Sequence, residues 1–543
     1  MRGYSRTDFA ADLGAGVTVA LVALPLAMAF AIASGVRPDQ GIVTAVVGGL
    51  AVSLLGGSRV QIAGPAGAFV ALLYTIADRY GIANLLIATM MAGVLLFAMG
   101  AFRLGTLIRF IPVAIVTGFT AGIAVIIALS QVRDLLGLRI AKVPAEFFAQ
   151  VGALGRALAT VSWIALAVAL ACVLVIVVWP TPRNARPGNW RFVTAKLPGT
   201  VAVLVLSALA AWALHLPVET IGTRFGELRR GIPAPALPEF HWATARELLG
   251  PAVAIALLGA VESLLCARVA DGLIADRHDP NQELMAQGAA NFAAPLFGGI
   301  AVTGTIARTM TNVKSGARTP VSGLVHSAVL LLVLVAMAPL AAFIPLAALA
   351  AVLLWVAFNM VPWHELRELR RYSVFYRTIV VSTFALTVVF GLTVAVQAGL
   401  ALSSLFFIYR ISSLTRVERI GLAAGQALLP DGRRVEAWEL FGSIFFGSVT
   451  KLETLIEPGQ PASDVVILEM GKAINVDTTG LDALESLRET LARRGARLIL
   501  ADLNAQPRSL LERSGFIAAL GPGAVCESLE DALAEAASPI AAG

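Results

Sequence analysis

Gly298-Gly-Ile-Ala-Val-Thr-Gly-Thr-Ile-Ala-Arg308 interrupts a series of apolar segments where a membrane-crossing helix would be expected to continue. Two glycines, a few residues of β character, a third glycine, then hydroxyls and an arginine take its place. Such a break strands backbone N–H and C=O groups that lipid cannot satisfy, so protein or a wet cavity must surround it. From Ile306 the chain can be helical again, which starts a helix deep in the membrane. The positive N-terminal end of that helix, with Arg308 in its first turn, favours an anion in front of it.

A second break lies in Ser58-Arg-Val-Gln-Ile-Ala-Gly-Pro-Ala-Gly-Ala-Phe69. Pro65 suits a first helical turn because its missing N–H is unpaired there in any residue. Ala66, Gly67 and Ala68 then offer N–H groups with little side chain in the way, and Thr305, Ile306 and Ala307 do the same at the other break. The breaks belong to a repeat. Pro38-Asp39-Gln40 with Leu54-Leu-Gly-Gly57 matches Pro280-Asn281-Gln282 with Leu296-Phe-Gly-Gly299 at an offset of 242 residues, with 6 identities over 20 positions. Between residues 12 and 411 the chain offers about fourteen apolar segments, each near the ~20 residues a span needs. Seven per repeat is an odd number, so the halves have opposite orientation. An inverted repeat with a discontinuous helix in each half is a transporter architecture.

Composition agrees. A 543-residue chain that is 58% apolar and 14% charged, with mean hydropathy +0.81, is too oily for a soluble enzyme. The net charge of +6 does not signal nucleic acid, since basic residues gather in short loops: Arg183, Arg186, Arg191 and Lys196, then Arg367, Arg370, Arg371 and Arg377. With the N-terminus inside, both clusters fall on the cytoplasmic side. The loop from Pro217 to Glu247 mixes Glu219, Glu227 and Glu239 with Arg224, Arg229 and Arg230 and falls outside. Trp163, Trp179, Trp212, Trp363 and Tyr372 read as interface anchors. Three cysteines and five scattered histidines show no metal-ligand spacing, and no cofactor or catalytic pair is legible.

Two charges inside apolar runs call for a reason. Arg308 either supports the anion site or snorkels to the inner surface with Lys314 and Arg318. Glu262 sits ten residues into an uncharged segment starting at Ala252, and reads as a proton carrier or as a static partner of Arg308 or of backbone donors. His326 reads as a hydrogen-bonded core histidine, with a proton relay as its alternative.

After a polar stretch at 412–434, expected to be a linker, residues 435–540 read as a small α/β domain. Asp464–Met470 and Arg497–Asp502 are expected strands; Leu481–Arg494 and Pro507–Arg513 are expected helices, which argues for a largely parallel sheet.

Thr305-Ile-Ala-Arg-Thr-Met-Thr-Asn-Val-Lys-Ser-Gly-Ala-Arg-Thr-Pro-Val-Ser-Gly323 closely resembles the sulfate permease family of anion transporters. Leu24-Pro-Leu-Ala-Met-Ala-Phe-Ala31, Gly64-Pro-Ala-Gly67, Glu262-Ser-Leu-Leu and Asn281-Gln-Glu-Leu284 with Gly288 and Asn291 agree with it. Asn475-Val-Asp-Thr-Thr-Gly-Leu481 resembles a STAS domain. The resemblance implies an α-helical polytopic membrane protein of 14 transmembrane segments in a 7+7 inverted repeat, followed by that domain. The expected organisation is a cytoplasmic N-terminus (1–11), then a transporter region (12–411) with core spans 1–4 and 8–11 and gate spans 5–7 and 12–14. It also implies elevator-type transport, a homodimer in the cell inner membrane, and Arg308 behind the anion site. Glu262 matches the acidic position of the eighth span. Relatives that resemble sodium-coupled importers place Asp there with Thr four residues later. The pair here is Glu262 and Cys266, and a thiol is a poor ligand for a hard cation. Leu26 stands where many eukaryotic members carry Gln.

The expected function is therefore proton-coupled symport of a small inorganic or carboxylate anion such as sulfate, bicarbonate or a dicarboxylate. An anion channel or exchanger, or a sodium-coupled bicarbonate importer, is the alternative. Thr479 matches a position phosphorylated in related regulatory domains, where a cytosolic STAS-binding protein would act; Thr478 and Thr479 are otherwise expected to cap a helix beginning near Leu481.

Overall fold

The structure is a computed structural model that describes residues 4–106, 112–140, 143–179, 199–238, 242–336, 338–453, 455 and 463–538. Arg183, Arg186, Arg191, Lys196 and Glu239 lie outside the described residues. The chain divides into two compact units, Met1–Leu400 and Ala401–Gly543.

The first unit opens with α1 (Arg6–Ala33), α2 (Pro38–Leu55), β1 (Ala63–Gly64), α3 (Val70–Tyr80), α4 (Ile82–Ala101) and α5 (Val113–Leu136). It continues through α6 (Phe147–Ala157), α7 (Trp163–Val178) and α8 (Gly199–Ala213). The second half comprises α9 (Trp242–Ile274), α10 (Pro280–Leu296), β2 (Thr303–Gly304), α11 (Ile306–Lys314), α12 (Val321–Ala336), α13 (Leu346–Met360), α14 (Val374–Phe390) and the start of α15 (Leu392–Leu414), whose residues from Ala401 on belong to the second unit. Among the described residues, six helices are long and apolar enough to cross a membrane: α1, α2, α4, α5, Thr244–Ile274 and Val394–Leu414. Phe147–Thr160 and Trp163–Val178 form a further candidate, bent by 112°, and α8, α12, α13 and α14 are apolar but shorter. A total of fourteen counts α10 and each broken segment as crossings too.

The helices fall into two packing groups. α10 packs on α4 and α2, α9 on α4, and α12 on α1 and α2. Separately, α5 packs on α14 and α13, and α7 on α13 and α8. Glycine sets the closest approach in the first group. A Cβ on Gly288 would stand 2.5 Å from the Phe97 nitrogen, and one on Gly93 2.7 Å from that of Phe292, so α4 and α10 meet backbone to backbone. The two halves also interlock through their repeated glutamines. Gln40 Nε2 donates to the Gly298 carbonyl at 2.7 Å, and Gln282 Nε2 donates to that of Leu55 at 2.6 Å.

In the loop after α8, Arg224 pairs with Glu219 and with Asp134 of α5. Arg224 donates to both carboxylate oxygens of Asp134, at 2.7 and 3.1 Å, and its hydrogen bonds to Glu219 hold that carboxyl below the usual range. Trp163, Trp212, Trp363 and Tyr372 are exposed, as interface anchors are.

In the second unit, β3 (Arg416–Ile420), β4 (Val435–Ile444), β5 (Val465–Glu469), β7 (Arg497–Ala501) and β8 (Val525–Cys526) form one sheet in that order, and β6 (Ala473–Val476) also pairs with β4. All pairings are parallel except β3 with β4. The sheet is covered on both faces, which explains the unbroken apolar run of β5. Val466 and Leu468 join one core, with Leu484 and Leu487 of α16 (Thr478–Arg493), and Val465 and Ile467 join the other, with Ala532 and Ala536.

Two expectations change here. The stretch 412–434 contains β3, whose Arg-Val-Glu-Arg-Ile sequence carries apolar residues to both cores through Val417 and Ile420. And α16 begins at Thr478, three residues earlier than expected. Its N-cap is Asp477, whose carboxylate accepts the Gly480 N–H at 2.8 Å, because a carboxylate at that place also complements the helix dipole. Thr478 and Thr479 are exposed and do not cap.

Candidate anion site

The two sequence breaks meet. β1 and β2 pair antiparallel, with Ala63 opposite Gly304 and Gly64 opposite Thr303. Each strand leads into a helix, α3 by way of the short 3-10 turn Gly67–Phe69 and α11 directly. Antiparallel strands send those helices away in opposite senses, so both helix N-termini lie at the pair and both positive ends point at it.

Breaking two helices inside an apolar interior strands many backbone groups, and polar side chains from neighbouring helices take them up. Asn291 of α10 clamps Val302: its Oδ1 accepts the Val302 N–H at 2.9 Å, and its Nδ2 donates to the Val302 carbonyl at 2.8 Å. Thr44 Oγ1 accepts the Ile300 N–H at 2.7 Å. Thr309 Oγ1 accepts the Ile62 N–H at 3.0 Å, and Asn312 Nδ2 donates to the Val60 carbonyl at 2.9 Å. α9 braces both strands as well. Thr303 Oγ1 donates to the Gly259 carbonyl, Gln61 Nε2 to that of Ser263, and Cys266 Sγ lies 3.2 Å from Thr309 Oγ1.

Ala66, Gly67 and Ala68 are buried, and the N–H groups of Gly67 and Ala68 have no carbonyl partner among the described residues. A side chain on Gly67 would meet Met360 Sδ at 3.1 Å, Ile127 Cδ1 at 3.3 Å and Phe30 Cε1 at 3.3 Å. The seat in front of these amides therefore has apolar walls from α13, α5 and α1, which strengthen any charge interaction within it. Thr305 departs from the expectation. As the N-cap of α11, it spends its N–H on the Ile62 carbonyl at 3.0 Å, and its Oγ1 donates to the same oxygen. The free donors of that half are the N–H groups of Ile306 and Ala307, both exposed, and Arg308 follows them.

Arg308 does not snorkel. It is 1% exposed, and Nη2 donates to the Pro65 carbonyl at 2.8 Å, tying the second half-helix to the start of the first. Nη1 lies against Gly64, where a Cβ would collide with it. Glu262 is half-buried on α9, one turn from Gly259 and Cys266, and has neither a hydrogen-bond nor an ion-pair partner among the described residues. It is not the partner of Arg308. His326 also differs from the expected hydrogen-bonded core histidine: it is fully buried, yet neither ring nitrogen has a hydrogen-bond partner among the described residues. Leu26 is buried in α1.

Asn291 enters the sequence reading only as part of the family resemblance, and Asn312, Thr309 and Thr44 are not singled out individually there. Their signal was present, since each is an uncharged polar residue facing inward from a largely apolar or broken segment. A cavity of about 400 Å³ reaches Val70 and Ala71, just beyond the first half-helix start, and is also lined by Tyr74, Gln131, Arg133 and Arg224. No cluster suited to a metal ion occurs among the described residues.

Residues 9–383 match the sulfate permease family and residues 437–532 the STAS domain. The putative sulfate transporter YvdB of Bacillus subtilis is 41% identical over 523 residues, covering 96% of each chain. The bicarbonate transporter BicA of Picosynechococcus sp. is 29% identical over 97% of this chain and 94% of its own. Among solved structures, the transmembrane domain of a cyanobacterial BicA superposes with TM-score 0.65 at 31% identity, covering 72% of this chain and 98% of that one. Murine solute carrier 26 family member A9, an anion transporter in its inward-facing state, shares the fold with TM-score 0.86 at 18% identity, covering 99% and 93%.

Proposed function

Because the chain belongs to the sulfate permease family and carries a STAS domain after its membrane region, we propose that it is a secondary active transporter of small anions. Sulfate is the first candidate, as the name given to YvdB suggests; bicarbonate, as for BicA, and dicarboxylates follow. The observation that carries the reading is the β1–β2 pair, with two half-helix N-termini at one place and Arg308 buried behind them. Backbone amides and a single guanidinium recognise negative charge and little else.

Coupling is assigned to the proton through Glu262, whose carboxylate is half-buried and unpaired beside the strand pair. Sodium is disfavoured because the residue one turn on is Cys266, whose thiol is engaged with Thr309. The two packing groups correspond to the expected core and gate, in fourteen segments arranged as a 7+7 inverted repeat. An elevator movement of one against the other would carry the seat across the membrane. Cytoplasmic placement of the N-terminus and of the STAS domain, the inner membrane, a homodimer and a cytosolic STAS-binding partner complete the reading.

The test is uptake into proteoliposomes of sulfate, bicarbonate, chloride, nitrate and fumarate, with imposed proton and sodium gradients. Accumulation of sulfate or bicarbonate driven by the proton gradient is expected. Accumulation driven by sodium alone would favour the sodium-coupled alternative, and uncoupled conduction would favour a channel.

A further inference from the structure

Behind the strand pair, five polar side-chain atoms are buried without a protein partner among the described residues: Nε and Nη1 of Arg308, both ring nitrogens of His326, and Oγ of Ser327. Arg308, His326 and Ser327 are 1%, 0% and 3% exposed. They share one face of α2. The space a Cβ would take on Gly49 is bounded by Ser327 Oγ at 3.0 Å, the Ala63 carbonyl oxygen at 3.3 Å and His326 Nδ1 at 3.6 Å. One turn earlier on the same face, Ala45 lies beside Gly64, against which Arg308 Nη1 rests.

Arginine has only donors to offer, and a neutral histidine and a serine each offer an acceptor. Buried polar atoms arranged like this are bridged by internal water, which needs two to four polar partners and room for one molecule. Ser327 Oγ, the Ala63 carbonyl and His326 Nδ1 converge beside Gly49, which puts no side chain between them, and they supply the partners.

We propose that a water site walled by Gly49 links His326 and Ser327 to the unpaired nitrogens of Arg308, which makes His326 a positioning residue for the guanidinium. Nη2 holds the Pro65 carbonyl, and the water link fixes the other nitrogens, so the positive charge stays aimed behind the seat. His326 never touches the anion; it acts through Arg308. This rests on the anion seat proposed above and adds the device that keeps its cation in place.

The experiment is exchange of radiolabelled sulfate and bicarbonate by the full chain in proteoliposomes, without a proton gradient. Gly49→Ala fills the water site with a methyl group and removes no polar atom. His326→Leu removes the acceptor, and His326→Asn keeps one. Gly49→Ala and His326→Leu are expected to raise KM about fivefold with kcat little changed, while His326→Asn stays within about twofold of wild type, as the loss or retention of a hydrogen-bond link implies. An unchanged KM in Gly49→Ala overturns the proposal, whether or not His326→Leu folds. Equal impairment by the Leu and Asn variants overturns it too, since a packing role would produce that. Wild-type exchange that never couples to protons would contradict the assignment of Glu262 and leave this comparison intact.

Discussion

Asn291→Leu removes the clamp on the second broken segment while keeping the side-chain volume nearly constant. Asn291 and Val302 are both 0% exposed, so the two Val302 backbone groups that lose partners have no water to turn to. A buried polar group left unsatisfied costs about 1–3 kcal/mol, so the variant should lose roughly 2–6 kcal/mol. That is a large share of the ~5–15 kcal/mol that holds a typical protein folded. Thr44→Val strands only the Ile300 N–H and should cost about half as much. Thermal unfolding of the detergent-purified protein, followed by loss of the monodisperse peak, ranks them. Wild type should be highest, Thr44→Val next and Asn291→Leu lowest, roughly 2–5 °C below wild type for a chain of this length. If Asn291→Leu melted within about 1 °C of wild type, the claim that these side chains sustain the broken backbone would be refuted.

Gly64→Ala places a methyl group against Arg308 Nη1 and should push the guanidinium off the Pro65 carbonyl. Losing that charge-assisted bond predicts an anion KM raised on the order of tenfold, and an unchanged KM would show that Arg308 moves freely. Glu262→Gln should abolish proton-driven accumulation while anion exchange persists; intact proton coupling would remove Glu262 from the mechanism. Asp477→Ala should destabilise the first turn of α16 by about 0.5–2 kcal/mol, visible as faster hydrogen exchange at Gly480, whereas Thr479→Ala should leave exchange there unaltered.

The membrane fold was legible because its strongest signals are physical necessities. Apolar runs of span length, the Gly298–Arg308 interruption and the 242-residue offset each constrain the backbone directly, and the strand pair joins the two stretches they single out. Burial without a partner was not legible. Arg308 and His326 look alike in sequence, as polar residues within apolar runs, and only the packing of α2 and β1 around them shows that one reaches Pro65 while the other has no hydrogen-bond partner among the described residues. The Thr305 amide was not legible for a related reason: a residue opening a helix offers a free N–H only if no carbonyl lies beside it, and that of Ile62 does. In the second unit, Asp477 was passed over as a cap because the two threonines after it are equally good caps by residue type.

Selenate carries the charge and shape of sulfate together with a strong anomalous scatterer. Crystals of the wild-type protein grown with it, measured at the selenium edge, locate the anion directly. The account predicts a peak within hydrogen-bonding reach, about 3 Å, of the amide nitrogens of Gly67, Ala68, Ile306 or Ala307, weakened in Arg308→Ala. A peak elsewhere with this position empty, or a cation held between the two half-helices, would contradict it.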